Sequence, residues 1–190
     1  QDKLTFVRKV GFNLEKDVGK DLIVTSGFEA KEYVPLGIAN YIQLNPITQE
    51  NDTIRRIQTS EFTAKIRWAK NEDFIAGAMD RTAVRSIYPI LSFQAIIGIK
   101  DLLGGDYNYQ KFEFGYEHNH SMGAFGRLKY GANAGIIFGS AAYPFLKVHE
   151  GNQSFWLYSA AFNQMNYFEF ISDKYVSAYI ENHWEGLLFD

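Results

Sequence analysis

A chain of 190 residues, 46% hydrophobic and 22% charged, can bury a core, and its net charge of −3 gives no ground for a nucleic-acid partner. The absence of cysteine removes a disulfide framework and any thiolate metal site. Aromatic residues are abundant, with 16 Phe, 12 Tyr and 3 Trp, while Leu and Ala do not dominate, which argues against a helical bundle.

No run of eighteen apolar residues exists, so no transmembrane helix is expected. A membrane β-barrel escapes that test, because its strands are only half apolar. Gln1-Asp2-Lys3 does not open a signal peptide. The C-terminal strand-like run stops at Asp190 without a turn. The N-terminus leads to the expectation that a signal has been removed or that the chain starts mid-protein, and the C-terminal stop to the expectation that residues 1–190 are a piece of a longer parent.

Period-two alternation is the dominant local signal. In residues 3–15, the even positions Leu4, Phe6, Arg8, Val10, Phe12 and Leu14 alternate with the odd positions Lys3, Thr5, Val7, Lys9, Gly11, Asn13 and Glu15. A turn is expected at 16–20. The next strand, 21–34, sets Leu22, Val24, Phe28 and Ala30 against Thr25, Gly27, Glu29 and Lys31. Residues 35–57 read as a long polar connection. The clearest strand runs from Thr59 to Trp68, with Phe62, Ala64, Ile66 and Trp68 opposite Glu61, Thr63, Lys65 and Arg67. Residues 69–85 read mostly as loop. A strand is expected at 86–99, with Pro89 marking its start or a bulge.

Gly104-Gly105-Asp106 is a turn signal. Residues 107–119 then set Phe112, Phe114 and Tyr116 against Lys111, Glu113 and Glu117. After a turn at Ser121-Met122-Gly123, residues 124–138 place Leu128, Tyr130, Ala132, Ala134, Ile136 and Phe138 opposite Arg127, Lys129, Gly131 and Asn133. Residues 139–153 read as a loop, and two further strands are expected at 154–171 and 174–189. The fold class is therefore all-β, with about eight antiparallel up-and-down strands. Short connections tend to alternate with long ones, as in outer-membrane barrels.

Alternation alone admits two orientations. An apolar face turned inward gives a soluble β-barrel or sandwich able to bind an apolar ligand. An apolar face turned to lipid gives a transmembrane barrel, with Glu61, Lys65, Arg67, Lys111, Glu113, Arg127 and Lys129 lining its lumen. A Lys or Arg at the bilayer midplane costs roughly 2–4 kcal/mol, which rules out the reverse orientation in lipid. Aromatic residues near strand ends and strands long enough for the roughly 9–11 residues of a tilted crossing favour the membrane.

No catalytic constellation stands out. His118 and His120 share one face of a strand, but the sequence names no third ligand, and a polar strand end beside a turn is the commoner meaning. Asp101 and Asp106 flank a turn and lack the carboxylate spacing of a calcium loop. Glu169, Asp173, Glu181 and Glu185 read as scattered acids rather than a hydrolytic pair. No Gly-x-Ser-x-Gly elbow is present. No cofactor is expected.

The stretch Phe162-Asn163, Met165-Asn166-Tyr167, Glu169-Phe170, Ser172-Asp173 and Tyr175, followed by Glu181, His183 and Gly186, resembles a known family. So do Gly105-Asp106-Tyr107-Asn108-Tyr109, Ala134-Gly135-Ile136-Ile137-Phe138-Gly139 and Tyr143-Pro144. These segments resemble the C-terminal barrel of Bacteroidota outer-membrane proteins with a carboxypeptidase-regulatory-like N-terminal domain. That family is similar to the BamA-type superfamily of assembly and translocation barrels. The resemblance lies mainly in residues 86–190. It implies a part of a larger barrel of about sixteen strands in the bacterial outer membrane, with lipid and other envelope proteins as partners. It further implies a role in outer-membrane protein assembly, transport or envelope complex formation. The Arg-Gly-Phe type motif of BamA relatives is absent from this sequence.

Overall fold

Residues that alternate in polarity form strands because successive side chains on a pleated backbone point to opposite faces. The computed structural model describes residues 4–36, 41–44, 51–76, 81–140, 142, 145–149, 151, 165 and 169–184. In chain order its strands are β1 (Leu4–Val18), β2 (Leu22–Leu36), β3 (Tyr41–Leu44), β4 (Asn51–Ile54), β5 (Ile57–Ala69), β6 (Asp73–Ala76), β7 (Arg81–Arg85), β8 (Ile90–Gly98), β9 (Tyr109–Ser121), β10 (Arg127–Gly139), β11 (Lys147–Val148), β12 (Ile171–Ser172) and β13 (Lys174–His183). Seven of them form one sheet in the order β1-β2-β5-β8-β9-β10-β13. Every adjacent pair is antiparallel. The three remaining ladders, β3-β4, β6-β7 and β11-β12, are two-stranded. Among the described residues the only helical pieces are 3-10 turns at Leu102–Gly104 and Gly123–Phe125. No helix among them is long and apolar enough to cross a membrane.

The sheet agrees with the expected strands and corrects several of their limits. β1 runs on to Val18, so the first turn is 19–21 rather than 16–20. Gly19 opens it with φ of 74°, a left-handed conformation that glycine adopts without a Cβ penalty. The connection expected over 35–57 contains the β3-β4 hairpin, and the loop expected over 69–85 contains the bulged β6-β7 hairpin. β8 begins at Ile90, directly after Pro89, whose missing N–H keeps it out of the ladder. The loop expected over 139–153 contributes β11, which pairs with β12. The strand expected over 154–171 falls largely outside the described residues. The large sheet therefore has seven described strands where about eight were expected.

The register aligns the faces. One face carries rows such as Val24–Ile66–Phe93–Phe114–Ala134–Val176 across six adjacent strands. Rings meet along it, with Phe28 and Phe62 centroids 4.8 Å apart and Phe112 and Phe138 6.2 Å apart. This apolar face is the exposed one: Val10 is 79% exposed, Phe62 48% and Val176 80%. The opposite face carries the ionic side chains and is the more covered, with Glu61 only 4% exposed. Among the described residues, a buried apolar cluster on this face comprises Ile57, Tyr109, Ile137 and Phe145. That cluster sits at the end of the sheet bearing the β2-β5, β8-β9 and β10-β13 connections.

Candidate functional site

All seven charged residues expected to line a lumen lie on the ionic face. Glu61, Lys65 and Arg67 alternate along β5, Lys111 and Glu113 along β9, and Arg127 and Lys129 along β10. The register joins them: Lys65 lies opposite Gln94, and Gln94 opposite Glu113. Lys129 lies opposite Asn119.

Glu61 is the centre of the best-buried group. Lys31 Nζ lies 2.8 Å from Glu61 Oε2 and 2.8 Å from Glu29 Oε2. Glu29 and Glu61 are direct cross-strand neighbours, so Lys31 bridges two carboxylates that would otherwise repel. The hydroxyls of Thr59 and Tyr109 donate to Glu61 Oε1 at 2.9 and 2.6 Å. A buried charge is tolerated when it is paired and fully hydrogen-bonded, and Glu61 meets that condition.

This group is one instance of an arrangement that occurs three times on the described face. A glutamate, a glycine and a tyrosine occupy consecutive strands in one row. The rows are Glu61–Gly98–Tyr109, Glu113–Gly135–Tyr175 and Glu117–Gly131–Tyr179. Each tyrosine ring lies across the glycine, where a Cβ would collide with it. In the first two rows the hydroxyl reaches the glutamate two strands away, Tyr109 donating to Glu61 at 2.6 Å and Tyr175 to Glu113 at 2.7 Å, while in the third the Tyr179 ring lies over Gly131. Each glutamate also has a lysine, since Lys111 Nζ is 3.2 Å from Glu113 and Lys129 Nζ 3.6 Å from Glu117. The expected lumen residues include Glu61, Lys111, Glu113 and Lys129, and the resemblance segments contain Tyr109, Gly135 and Tyr175, but nothing in the sequence joins a glutamate, a glycine and a tyrosine into one row. The cue was glycine inside alternating strands, and its meaning depends on register.

The first and third rows differ in their surroundings. Over the first lies Phe145, from the β10-β13 connection. Phe145 stacks on Tyr109 at 5.3 Å with rings 8° from parallel, and meets Tyr33 and Tyr107 edge-on at 5.5 and 5.9 Å. Burial and the adjacent Asp106 carboxylate push the Tyr107 phenol up, so it stays neutral. The third row opens into a trough of about 1000 Å³ lined by Lys65, Arg67, Asn119, Arg127 and Tyr179 among others. There Arg67 grips Glu72 through both guanidinium nitrogens, at 2.5 and 2.7 Å.

Of the motif residues near the C-terminus, Tyr175 belongs to the second row. Ser172 is in β12, where its hydroxyl lies 3.3 Å from His149 Nε2. The Asp173 carbonyl accepts the Ile137 N–H at 2.8 Å between β12 and β13. Met165, Glu169 and Phe170 precede β12, and Phe170 accepts the His149 N–H at 3.2 Å. His183 Nε2 closes β13, 3.5 Å from Glu181. Asn163, Asn166, Tyr167 and Gly186 lie outside the described residues. His118 and His120 share a face, with ring centroids 6.0 Å apart. His118 has both nitrogens engaged, by the Tyr130 hydroxyl at 2.8 Å and the Ile87 carbonyl at 3.1 Å. No group of three or more metal-ligating side chains occurs among the described residues. Asp106 serves the turn, accepting the Gln58 N–H at 2.7 Å.

What this face can do chemically is hold a wall of paired charge beneath an outward apolar surface. No curated protein and no solved structure matches the chain. A family model described as the C-terminal domain of a family of unknown function (DUF5686) matches residues 30–190, from within β2 to beyond β13. The chain belongs to that family.

Proposed function

We propose that these residues form part of the wall of a bacterial outer-membrane β-barrel, with the apolar face toward lipid and the ionic face toward the lumen. The observation that carries this reading is the inverted exposure of the two faces. Glu61 is buried while Val10, Phe62 and Val176 stand exposed. A contiguous apolar face of this extent is unfavourable in water, where patches larger than a few hundred Å² mark an interaction surface. Lipid removes that penalty, and the lumen accommodates the paired charges. Strand lengths agree: the 13 residues of β5 span about 43 Å at roughly 3.3 Å per residue, enough for a tilted crossing. Of the two cations on the apolar side of β1, Lys16 lies two residues from its end, and Arg8, farther in, is 3.6 Å from Glu32.

The reading assigns a structural role without a cofactor or catalytic residue: a barrel similar to the BamA type, serving outer-membrane protein assembly, transport or formation of an envelope complex. Lipid and other envelope proteins are its partners. The first test is fractionation of the full-length protein. Membranes are washed with carbonate, and electrophoretic mobility is compared with and without boiling. Retention in the outer membrane with a heat-dependent mobility shift is expected. Release into the soluble fraction would sink the proposal and favour a soluble β-barrel or sandwich with an apolar ligand.

A further inference from the structure

Two polar side chains interrupt the apolar face where β5 begins. Gln58 and Ser60 have the parity of Phe62, Ile66 and Trp68 and so lie on the outward side. Ser60 is nonetheless only 1% exposed. Residues 100–105 cover this pair: the Ser60 hydroxyl donates to the Leu102 carbonyl at 2.6 Å, and Gly104 packs against the Gln58 side chain. The loop is closed by the Asp101 N–H on the Gly105 carbonyl at 2.7 Å. Both its ends are tied to β5, the Ile99 N–H donating to the Ser60 carbonyl and the Asp106 N–H to the Gln58 carbonyl, each at 2.9 Å. Within it Leu103 has φ of 44°, a left-handed conformation that leucine keeps only where surrounding bonds impose it. The Leu103 side chain is 70% exposed, so a pinned loop holds an apolar group out beside the apolar band.

Cations gather at the same margin. Glu32, opposite Gln58 in the register, lies 3.6 Å from both Arg8 and Arg56. One carboxylate is thus shared by two guanidinium groups, which remain mostly exposed. Beside Arg56 a cleft of about 530 Å³ is lined by Lys100, Asp106 and Tyr107 among others. Asp106 Oδ2 already accepts the Gln58 N–H at 2.7 Å. Among the described residues no carboxylate pairs with Lys100, which also lines the cleft. Arg8, Arg56 and Lys100 therefore stand against Glu32 and Asp106, in a chain whose net charge is −3. This local excess of positive charge adjoins exposed apolar surface, with Phe6 under the Arg8 guanidinium at 5.4 Å and Leu103 on the loop.

We propose that this margin is a binding site for an anionic, phosphate-bearing lipid. Arg56 and Lys100 hold the headgroup phosphate at the cleft, Arg8 strengthens the positive field, and the acyl chains lie on the apolar band beside Leu103 and Phe6. A soluble phosphate would satisfy the cations and leave the adjoining apolar surface uncovered, whereas a lipid satisfies both. The proposal rests on the membrane-wall reading, because only there does the outward face meet lipid.

The test uses full-length protein in a neutral detergent, mixed with equal amounts of phosphatidylglycerol and phosphatidylcholine of identical acyl chains. Native mass spectrometry counts the lipids retained. Phosphatidylglycerol should be preferred by more than about tenfold, since each cation beside an anionic lipid contributes roughly fivefold. The double variant Arg56→Gln, Lys100→Gln should lower the preference to less than about threefold. Lys16→Gln, near the other end of β1 on the same face, should leave it unchanged. Each variant is compared once its heat-dependent mobility shift shows a formed barrel. Equal retention of the two lipids by the unaltered protein would overturn the proposal, as would an undiminished preference in the double variant. So would displacement of phosphatidylglycerol by soluble glycerol phosphate, which would make a free phosphate the occupant. Failure of the membrane reading shows in the fractionation, whereas a membrane-retained barrel without lipid preference removes this site alone.

Discussion

The two ends of the ionic face use the same parts in different settings. At one end Glu61, Gly98 and Tyr109 form a row with Lys31 as counter-ion, under Phe145. At the other end Glu117, Gly131 and Tyr179 form a row with Lys129, in the open trough. The Lys31–Glu61 pair is 20% and 5% exposed, the Lys129–Glu117 pair 36% and 43%. Identical chemistry thus carries unequal energy. A desolvated pair becomes costly to break because the remaining charge has no water, whereas an exposed pair contributes between nothing and about 1 kcal/mol.

Lys31→Met tests this contrast most severely. It leaves Glu29 and Glu61 facing one another without the cation that bridges them, and about 3–5 kcal/mol of stability should be lost. Urea unfolding of the refolded protein in detergent or lipid vesicles reads the loss. The matching Lys129→Met should cost less than about 1 kcal/mol, and equal losses would refute the contrast. Phe145→Ala removes the aromatic cover of the first row and should cost about 3 kcal/mol by the same assay. It should also bring the Glu61 end closer to the behaviour of the open end.

Tyr109→Phe deletes a hydroxyl that donates to a buried carboxylate and should cost about 1.5–3 kcal/mol. Tyr179→Phe should fall below about 1 kcal/mol, because Tyr179 and Glu117 line the open trough, where water can serve the carboxylate. The smallest expected effect is that of salt. Raising ionic strength from about 0.1 to 1 M should weaken the Lys129–Glu117 pair, measured as the Lys129–Glu117 coupling in a double-mutant cycle. The Lys31–Glu61 coupling should hardly change over the same range.

Much of the sheet was legible because alternation is a local property. Phe62 to Trp68 declares its two faces within a few residues, and that parity places Glu61, Lys65 and Arg67 together on either orientation. The hairpins β3-β4 and β6-β7 escaped because their segments, 35–57 and 69–85, are rich in polar residues and lack sustained alternation. The C-terminal motif showed a different limit. It singled out Tyr175, but its partner Glu113 belongs to another strand far away in sequence, and only the register brings them together.

The sequence by itself determined the strands, the meander they support and the division of side chains between two faces, since each depends on the two-residue period of the backbone. Tertiary structure alone decided which charges are buried and which glycine lies under which tyrosine. Register between distant strands sets the rows, and Phe145 covers one row while the other opens into the trough. Burial is a property of what lies across a residue in space, and neither Glu61 nor Glu117 carries it in its own neighbourhood of the chain.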